Sequence, residues 1–454
     1  MDPGSCDSGG SPVLLVLVAK YRDLDIESAA RLHSVSSRLA RHILAGSSAV
    51  SGSVVLSTCS RFEIYCEVSP AGDVDTACSD ALDSVGLCTG LAAALLASLF
   101  EHTHGESATK HLFAVVTGLD SVVVGEREVA GQARRALAEA QAAGTASGRL
   151  IRLFQAASRT GKEVGARTAL SSTSRSIASV ALDLAAAGSG QPALDDVSVV
   201  LFGTGAYAAC VAEILRSRRC SATYVFSQSG RADAFAAARG GTALTARELP
   251  AAVARADIII GCSGTETRIG AAQLAAWRDE AAHPLTVIDL APSHDFDPHV
   301  ADLPGIELIT LESVRLAAPP ADAEALRVAG ALVRQAARRF EEQEAIRMVD
   351  TAIVALRLHI HQVLEAEMER VTKQHGCGAT AEEVNSALRR IVRRLLHIPT
   401  VRARELATAG RQDDYAAALE ALFGLNVQLT IPRIPGTMSS VESVPAAPAA
   451  AAAL

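Results

Sequence analysis

Residues 197–202 form an apolar run that breaks at Gly203-Thr204-Gly205-Ala206-Tyr207-Ala208 and continues as a helical pattern. A strand that passes through such a turn into a helix commits this stretch to an α/β layer architecture. Gly203 permits the tight turn, Gly205 lets the backbone approach a pyrophosphate, and Ala208 keeps helix and strand close. Thr204, Ala206 and Tyr207 complete the element, and the start of the helix supplies amide donors for phosphates. Further strands are predicted at 222–226, 242–244, 257–262, 285–290 and 306–310, separated by helical patterns or loops. That alternation is the layout of a doubly wound parallel sheet. The second strand ends Val225-Phe226-Ser227-Gln228-Ser229-Gly230-Arg231, with no Asp or Glu to hold a ribose 2′-hydroxyl. Ser227 and Arg231 suit a 2′-phosphate instead, which favours NADP over NAD.

At 454 residues the chain has room for roughly three domains. Ahead of the dinucleotide unit, a strand at 13–19, a helix at 26–45, strands at 54–56 and 64–68 and a helix-rich stretch at 75–100 make an α+β unit. Behind it, everything from about 320 to 425 reads as helix. Residues 321–370 hold no Pro and no Gly except Gly330, so one very long helix is predicted. The domains expected are therefore 13–165, 166–315 and 316–425, with residues 1–12 and 426–454 as disordered ends.

The formal charge of -8 excludes a protein coated in basic surface for nonspecific nucleic-acid binding. A local basic stripe remains in Arg149, Arg152, Arg159, Lys162, Arg167 and Arg175, and a second group in Arg389, Arg390, Arg393 and Arg394. The nine cysteines are scattered, with no CxxC pair and no zinc spacing, so no metal site is expected. They read as reduced thiols of a cytoplasmic protein. The apolar run 13–19 is too short to span a bilayer, and no membrane association is expected.

Two segments carry chemistry. In Ser57-Thr58-Cys59-Ser60-Arg61, a thiol sits beside an arginine in a turn between β-rich runs. A thiolate can take an acyl group from an activated ester, and an adjacent guanidinium favours the thiolate or holds an acidic substrate. Cys66, Cys78 and Cys88 read as small buried hydrophobes. From His111 to Gln132, polar residues at Ser121, Glu126 and Gln132 interrupt an apolar pattern, as a pocket wall would.

Together these segments resemble the glutamyl-tRNA reductase family over residues 13 to 425. The family's Ser-Thr-Cys-Asn-Arg run matches Ser57 to Arg61, and its His-Leu…Gly-Leu-Asp-Ser…Gly-Glu…Gly-Gln block matches His111 to Gln132. Ile288-Asp289-Leu290-Ala291 and Leu395-Leu396-His397-Ile398-Pro399 match two further elements. The resemblance implies an N-terminal α+β catalytic domain and a Rossmann-type NADP domain. A long spinal helix would lead to an all-α dimerisation domain in a homodimer. It implies that Cys59 captures glutamate from glutamyl-tRNA(Glu) as a thioester, releasing tRNA, and that NADPH reduces the thioester to glutamate-1-semialdehyde, the first step of a route to porphyrins. Arg61 would hold the glutamate carboxylate, with Thr58, Ser121, Glu126 and Gln132 lining the amino-acid pocket. His111 would activate the thiol or polarise the carbonyl, and glutamate-1-semialdehyde aminomutase is a partner to consider.

The chain departs from the family pattern at several positions. Ser60 stands for the usual Asn, and Arg127-Glu128 for Pro-Gln, beside the substrate-lining positions. Ser227-Gln228-Ser229 replaces Asn-Arg-Thr, and His294 an arginine. These changes motivate a second reading, a catalytically degenerate paralogue that binds tRNA or a haem-pathway partner. A third, an ordinary NADP-dependent dehydrogenase, leaves the first and last thirds of the chain without a purpose.

Overall fold

The computed structural model describes residues 12–58, 60–126, 128–168, 170, 176–189, 194–263, 268–278, 283–291, 294–318, 322–375 and 379–427. Its first unit is a four-stranded antiparallel sheet, with β1 at Val13–Lys20, β2 at Val50–Ser57, β3 at Arg61–Val68 and β4 at Glu101–His104. The strand order is β2-β3-β1-β4. Helices α1 (Ile26–Gly46), α2 (Val74–Thr89) and α3 (Ala93–Leu99) pack on one face, and α4 (Glu106–Val116), α5 (Glu128–Ala142) and α6 (Gly148–Arg167) on the other.

Alternation along β3 explains this double cover. Phe62, Ile64 and Cys66 enter one core, while Tyr65 enters the other and stacks edge-on against Phe154 at 5.2 Å. Both β2 and β3 are longer than the predicted 54–56 and 64–68. The apolar signal was interrupted by Ser53 and Glu63, which the fold buries along with their neighbours. Strand β4 was not foreseen. It is a polar edge strand, Glu-His-Thr-His, whose pairing to β1 supplies the register that its side chains do not advertise.

Helix α7 (Ile177–Ser189) leads into the second unit. Its strands are β5 (Ser198–Phe202), β6 (Ala222–Phe226), β7 (Thr242–Leu244), β8 (Ile258–Gly261), β9 (Leu285–Asp289) and β10 (Ile306–Thr310). All pair in parallel in the order β10-β9-β8-β5-β6-β7. Helices α8 (Ala206–Ser217), α9 (Ala232–Arg239), α10 (Leu249–Arg255), α11 (Ala271–Arg278) and α12 (Leu311–Ala317) accompany the sheet. The strand order reverses between β5 and β8, and the crevice beyond their carboxyl ends is where a doubly wound sheet binds its ligand.

The predicted long helix is α13, Ala323–His375, 53 residues. Val333 and Phe340 join the core of the first unit, with Phe340 6.3 Å from Phe113. Arg149 and Arg152, read from sequence as part of a basic stripe, are spent here. Arg149 donates to Glu341 at 2.9 Å and to the Pro12 carbonyl, and Arg152 meets Glu344 at 2.5 Å. Both arginines therefore tie α6 to α13, while Arg159 and Lys162 stay exposed. Arg175 lies outside the described residues. Helices α14 (Ala379–Thr408) and α15 (Gln412–Phe423) fold back on α13. Among the described residues, no single helix is long and apolar enough to cross a membrane.

Candidate functional site

The β2–β3 hairpin builds the thiol-bearing loop. Ser57 pairs with Phe62, and Thr58 closes the turn by accepting hydrogen bonds on Oγ1 from the Ser60 and Arg61 amides, each at 3.2 Å. The Thr58 amide donates to the Arg61 carbonyl at 3.0 Å, and Tyr21 donates its own amide to the Ser60 carbonyl. Cys59 itself lies outside the described residues, between these two fixed flanks. Below the loop, Ser57 Oγ is hydrogen-bonded to the Tyr21 hydroxyl (3.1 Å) and to His33 Nδ1 (2.9 Å). Burial holds the His33 pKa below its usual value.

Arg61, Glu63 and Tyr65 share one face of β3, and they form a buried polar relay. Glu63 is completely buried and accepts from Tyr65 Oη at 2.5 Å and Arg61 Nη1 at 3.2 Å, with His111 Nε2 at 2.9 Å. Burial pushes the Glu63 carboxyl up, but the hydrogen bond and charge of His111, then Arg61 and Tyr65, outweigh it and leave the pKa below normal. An ionised carboxylate can only accept, so His111 Nε2 must donate and Nδ1 becomes the nitrogen able to take a proton. Sequence reading picked Arg61 and His111 but missed Glu63, the group that joins them. Its signal was its position two residues after Arg61 on a strand.

Arg61 is already engaged. Its Nη1 lies 2.6 Å from the Asp120 carboxylate, and its Nη2 donates to the Asp120 carbonyl. Asp120 belongs to the 118–126 loop, which folds on itself through Gly125 N to Gly118 O at 2.9 Å and Glu126 N to Val123 O at 3.1 Å. Gly118 has φ +75°, and a Cβ there would strike the Glu126 carbonyl at 2.7 Å. Ser121 sits on this loop, half-buried. Glu126 is buried beside Glu128, whose Oε2 is buried with no hydrogen-bond partner among the described residues. Burial first, then the charge and hydrogen bond of Glu128, hold the Glu126 carboxyl well above the ordinary range, with Arg61 opposing. Burial raises Glu128 as well, although Glu126 and Arg135 pull the other way. Two adjoining carboxyls raised in this way favour keeping a proton between them. Arg127 lies outside the described residues.

A cavity of about 270 Å³ joins the two units. Its walls bring Ser57, Thr58, Gln132 and Arg135 opposite Gly205 and Ser263. Gln132 Oε1 is buried there with no hydrogen-bond partner among the described residues. On the dinucleotide side, Gly203 has φ +109°, and a Cβ would meet the Cys262 backbone at 2.8 Å. A Cβ on Gly205 would meet nothing within 4 Å, and no side chain caps the start of α8. The loop thus offers open space and a helix start without a side-chain cap, which fits a dinucleotide phosphate. Ala208 is fully buried in the helix–strand contact, and Ala206 and Tyr207 begin the helix. At the end of β6, Thr204, Ser227, Ser229 and Arg231 form a chain of hydrogen bonds at 3.2, 3.0 and 2.8 Å. Among the described residues no cluster of His, Cys, Asp and Glu is arranged to hold a metal ion.

Comparison with known proteins follows these divisions. Residues 17–168 match the glutamyl-tRNA(Glu) reductase N-terminal domain, and 328–425 the dimerisation domain of the same family. Residues 184–316 match shikimate/quinate 5-dehydrogenase. Glutamyl-tRNA reductase of Pseudarthrobacter chlorophenolicus is 56% identical over 92% of this chain and 94% of its own length. The chain belongs to the glutamyl-tRNA reductase family. The reductase of Paenarthrobacter aurescens is 54% identical over 95% of this chain and 98% of its own, and that of Clavibacter michiganensis 39% over 92% and 95%. The solved glutamyl-tRNA reductase from Methanopyrus kandleri covers 88% of this chain and 98% of its own at 24% identity, with a TM-score of 0.44.

Family membership gives the departures their physical meaning. Glu128 stands where the pattern has an amide, and one proton held between it and Glu126 would let one carboxyl donate as an amide N–H does, while the pair keeps a single negative charge. Ser60 keeps its backbone contacts in the hairpin. His294 Nδ1 lies 3.1 Å from the buried Asp289, which also accepts from the Ala291, Asp295 and Phe296 amides. The loop that presents Ser263 to the cavity is tied to this knot through Asp295.

Proposed function

We propose that this chain reduces glutamyl-tRNA(Glu) to glutamate-1-semialdehyde with NADPH, releasing tRNA, through a thioester on Cys59. The observation that carries the reading is the shared cavity, with the thiol-loop residues Ser57 and Thr58 on one wall and the dinucleotide-loop Gly205 on the other. In the first step the Cys59 thiolate attacks the ester carbonyl, the bond to the terminal ribose oxygen breaks, and that oxygen leaves with a proton. His111 Nδ1, aimed by the Glu63 bond to Nε2, is suited to move that proton. The glutamate carboxylate would replace Asp120 on Arg61. One anion exchanges for another, so the buried guanidinium is never left uncompensated. Thr58, Ser60, Ser121, Glu126, Arg127, Glu128 and Gln132 would shape the amino-acid pocket. Residues 203–208 would hold NADPH, with Ser227 and Arg231 at its 2′-phosphate, and the group would supply a hydride to the thioester carbonyl, whose C–S bond breaks to give the aldehyde and return Cys59 as a thiolate.

The same reading divides the chain at about 165 and 315 and pairs it as a homodimer. Exposed Val384, Ile391, Leu395 and Ile398 repeat at coiled-coil spacing along α14, which supports such a pairing. Arg389, Arg390, Arg393 and Arg394 are exposed on the same helix and are available to RNA phosphates. The described free cysteines suit a reducing cytoplasm. The product aldehyde carries a free amine, which makes glutamate-1-semialdehyde aminomutase the partner to test.

The test compares NADPH oxidation by purified protein given charged or uncharged tRNA. Oxidation with charged tRNA alone, lost in Cys59→Ser, is expected. Equal oxidation with both, or full activity in Cys59→Ser, refutes the thioester route.

A further inference from the structure

Arg135 lies on α5, in the thiol-bearing unit, yet it lines the cavity shared with Gly205 and Tyr207 of the dinucleotide unit. It also lines the adjoining cleft beside Ala209 and Cys210, so it follows the first turns of α8 from across the domain junction. Among the described residues lining the shared cavity it is the one arginine or lysine, and the dinucleotide wall there is neutral: Gly205, Tyr207, Cys262, Ser263 and Leu290. Its side chain is exposed, and the Glu128 carboxyl, which lines the adjoining cleft with Glu213, feels its charge. Opposite it, α8 starts without a side-chain cap, and Gly205 leaves open space. A diphosphate seated at that helix start carries two negative charges, of which the amides neutralise part.

We propose that Arg135 completes the cofactor's diphosphate site from the opposite domain, so that binding of the dinucleotide also draws the thiol loop and the nicotinamide end together. The geometry is that of a clamp: one wall offers backbone amides and the other a guanidinium, whose planar fork suits phosphate oxygens. Glu139, one turn along α5, lines the same cavity and opposes the bound anion. This inference rests on the proposed NADPH reading and assigns to it a residue outside the dinucleotide fold.

The test is equilibrium binding of NADPH and of adenosine 2′-monophosphate to the full-length protein, followed by fluorescence or calorimetry. Arg135→Ala should weaken NADPH about tenfold, as loss of one charge-assisted phosphate contact does. Arg135→Lys should recover part of that loss, and Glu139→Gln should tighten NADPH. The monophosphate, which lacks the diphosphate, should bind all variants alike. An unchanged NADPH affinity in Arg135→Ala, with normal binding by the wild type, overturns the clamp, as does an equal loss for the monophosphate. A wild type that binds no NADPH overturns the cofactor reading and the clamp together.

Discussion

Replacing Glu63 tests whether the buried relay holds the site together. In Glu63→Ala, three hydrogen bonds disappear at 2.5, 2.9 and 3.2 Å. Bonds to charged groups contribute about 1.5–3 kcal/mol each, so the gross loss is roughly 4.5–9 kcal/mol. The net loss is smaller, because Arg61 keeps Asp120 and the partly exposed His111 ring can be hydrated. Breaking a buried charged pair by removing one member costs about 3–5 kcal/mol, and that range is the expectation here. Glu63→Gln keeps the volume and some bonds, and should lose about half as much. The pH dependence has a definite sign. The folded carboxyl has a lowered pKa, so its contribution is present above the unfolded carboxylate pKa and is lost as pH falls through the folded value. Wild-type and Glu63→Ala stabilities should therefore converge in acid. Urea unfolding followed by far-UV circular dichroism from neutral to acid pH measures this. Trp277, on α11 in the other unit, gives a fluorescence signal that should not shift. A neutral-pH loss below about 1 kcal/mol, or a gap that persists unchanged into acid, would refute the reasoning.

The Glu126–Glu128 pair has the opposite sign. Both carboxyls are raised, so wild-type stability falls as pH climbs from the unfolded carboxylate range through the raised folded values. Glu128→Gln should flatten that fall and raise the melting temperature at alkaline pH, and a melting curve unaltered there would rule out proton sharing. Burial pushes the Cys66 thiol up to about 12, so alkylation at neutral pH should spare Cys66 in the folded protein until denaturant is added. Rapid labelling of Cys66, read by peptide mass spectrometry, would contradict its placement. Leu395→Glu puts a charge in the apolar row of α14 and should halve the mass seen by sedimentation, while a mass that does not change would remove α14 from the pairing surface.

The dinucleotide unit was legible because its glycine turn and its β/α alternation are local signals. Strands β6, β7 and β10 fall where the sequence places them, and α13 runs close to its predicted span. The thiol unit was legible in its motif but not in its wiring. Glu63 resembles any polar residue in a strand until β3 is covered on both faces, and only tertiary packing puts it against His111. Asp120 sits in a loop far along the chain from Arg61, so no spacing rule could announce their contact. Arg149 and Arg152 gave the opposite lesson. Their spacing read as part of an exposed basic stripe, but α13 lies over them and supplies Glu341 and Glu344. The edge strand β4 was invisible because its side chains carry no apolar period.

The bolts between α6 and α13 have a mechanical consequence. At 53 residues, α13 is about 80 Å of continuous helix, and its amino-terminal half is locked to the thiol unit by Arg149, Arg152 and Phe340. Unit and helix must therefore pivot as one stiff strut, and any swing that opens the cavity to solvent falls to the parallel-sheet unit. If two struts join at their far ends, each carries its reacting tip well away from the other, leaving room for a bulky nucleic acid at both.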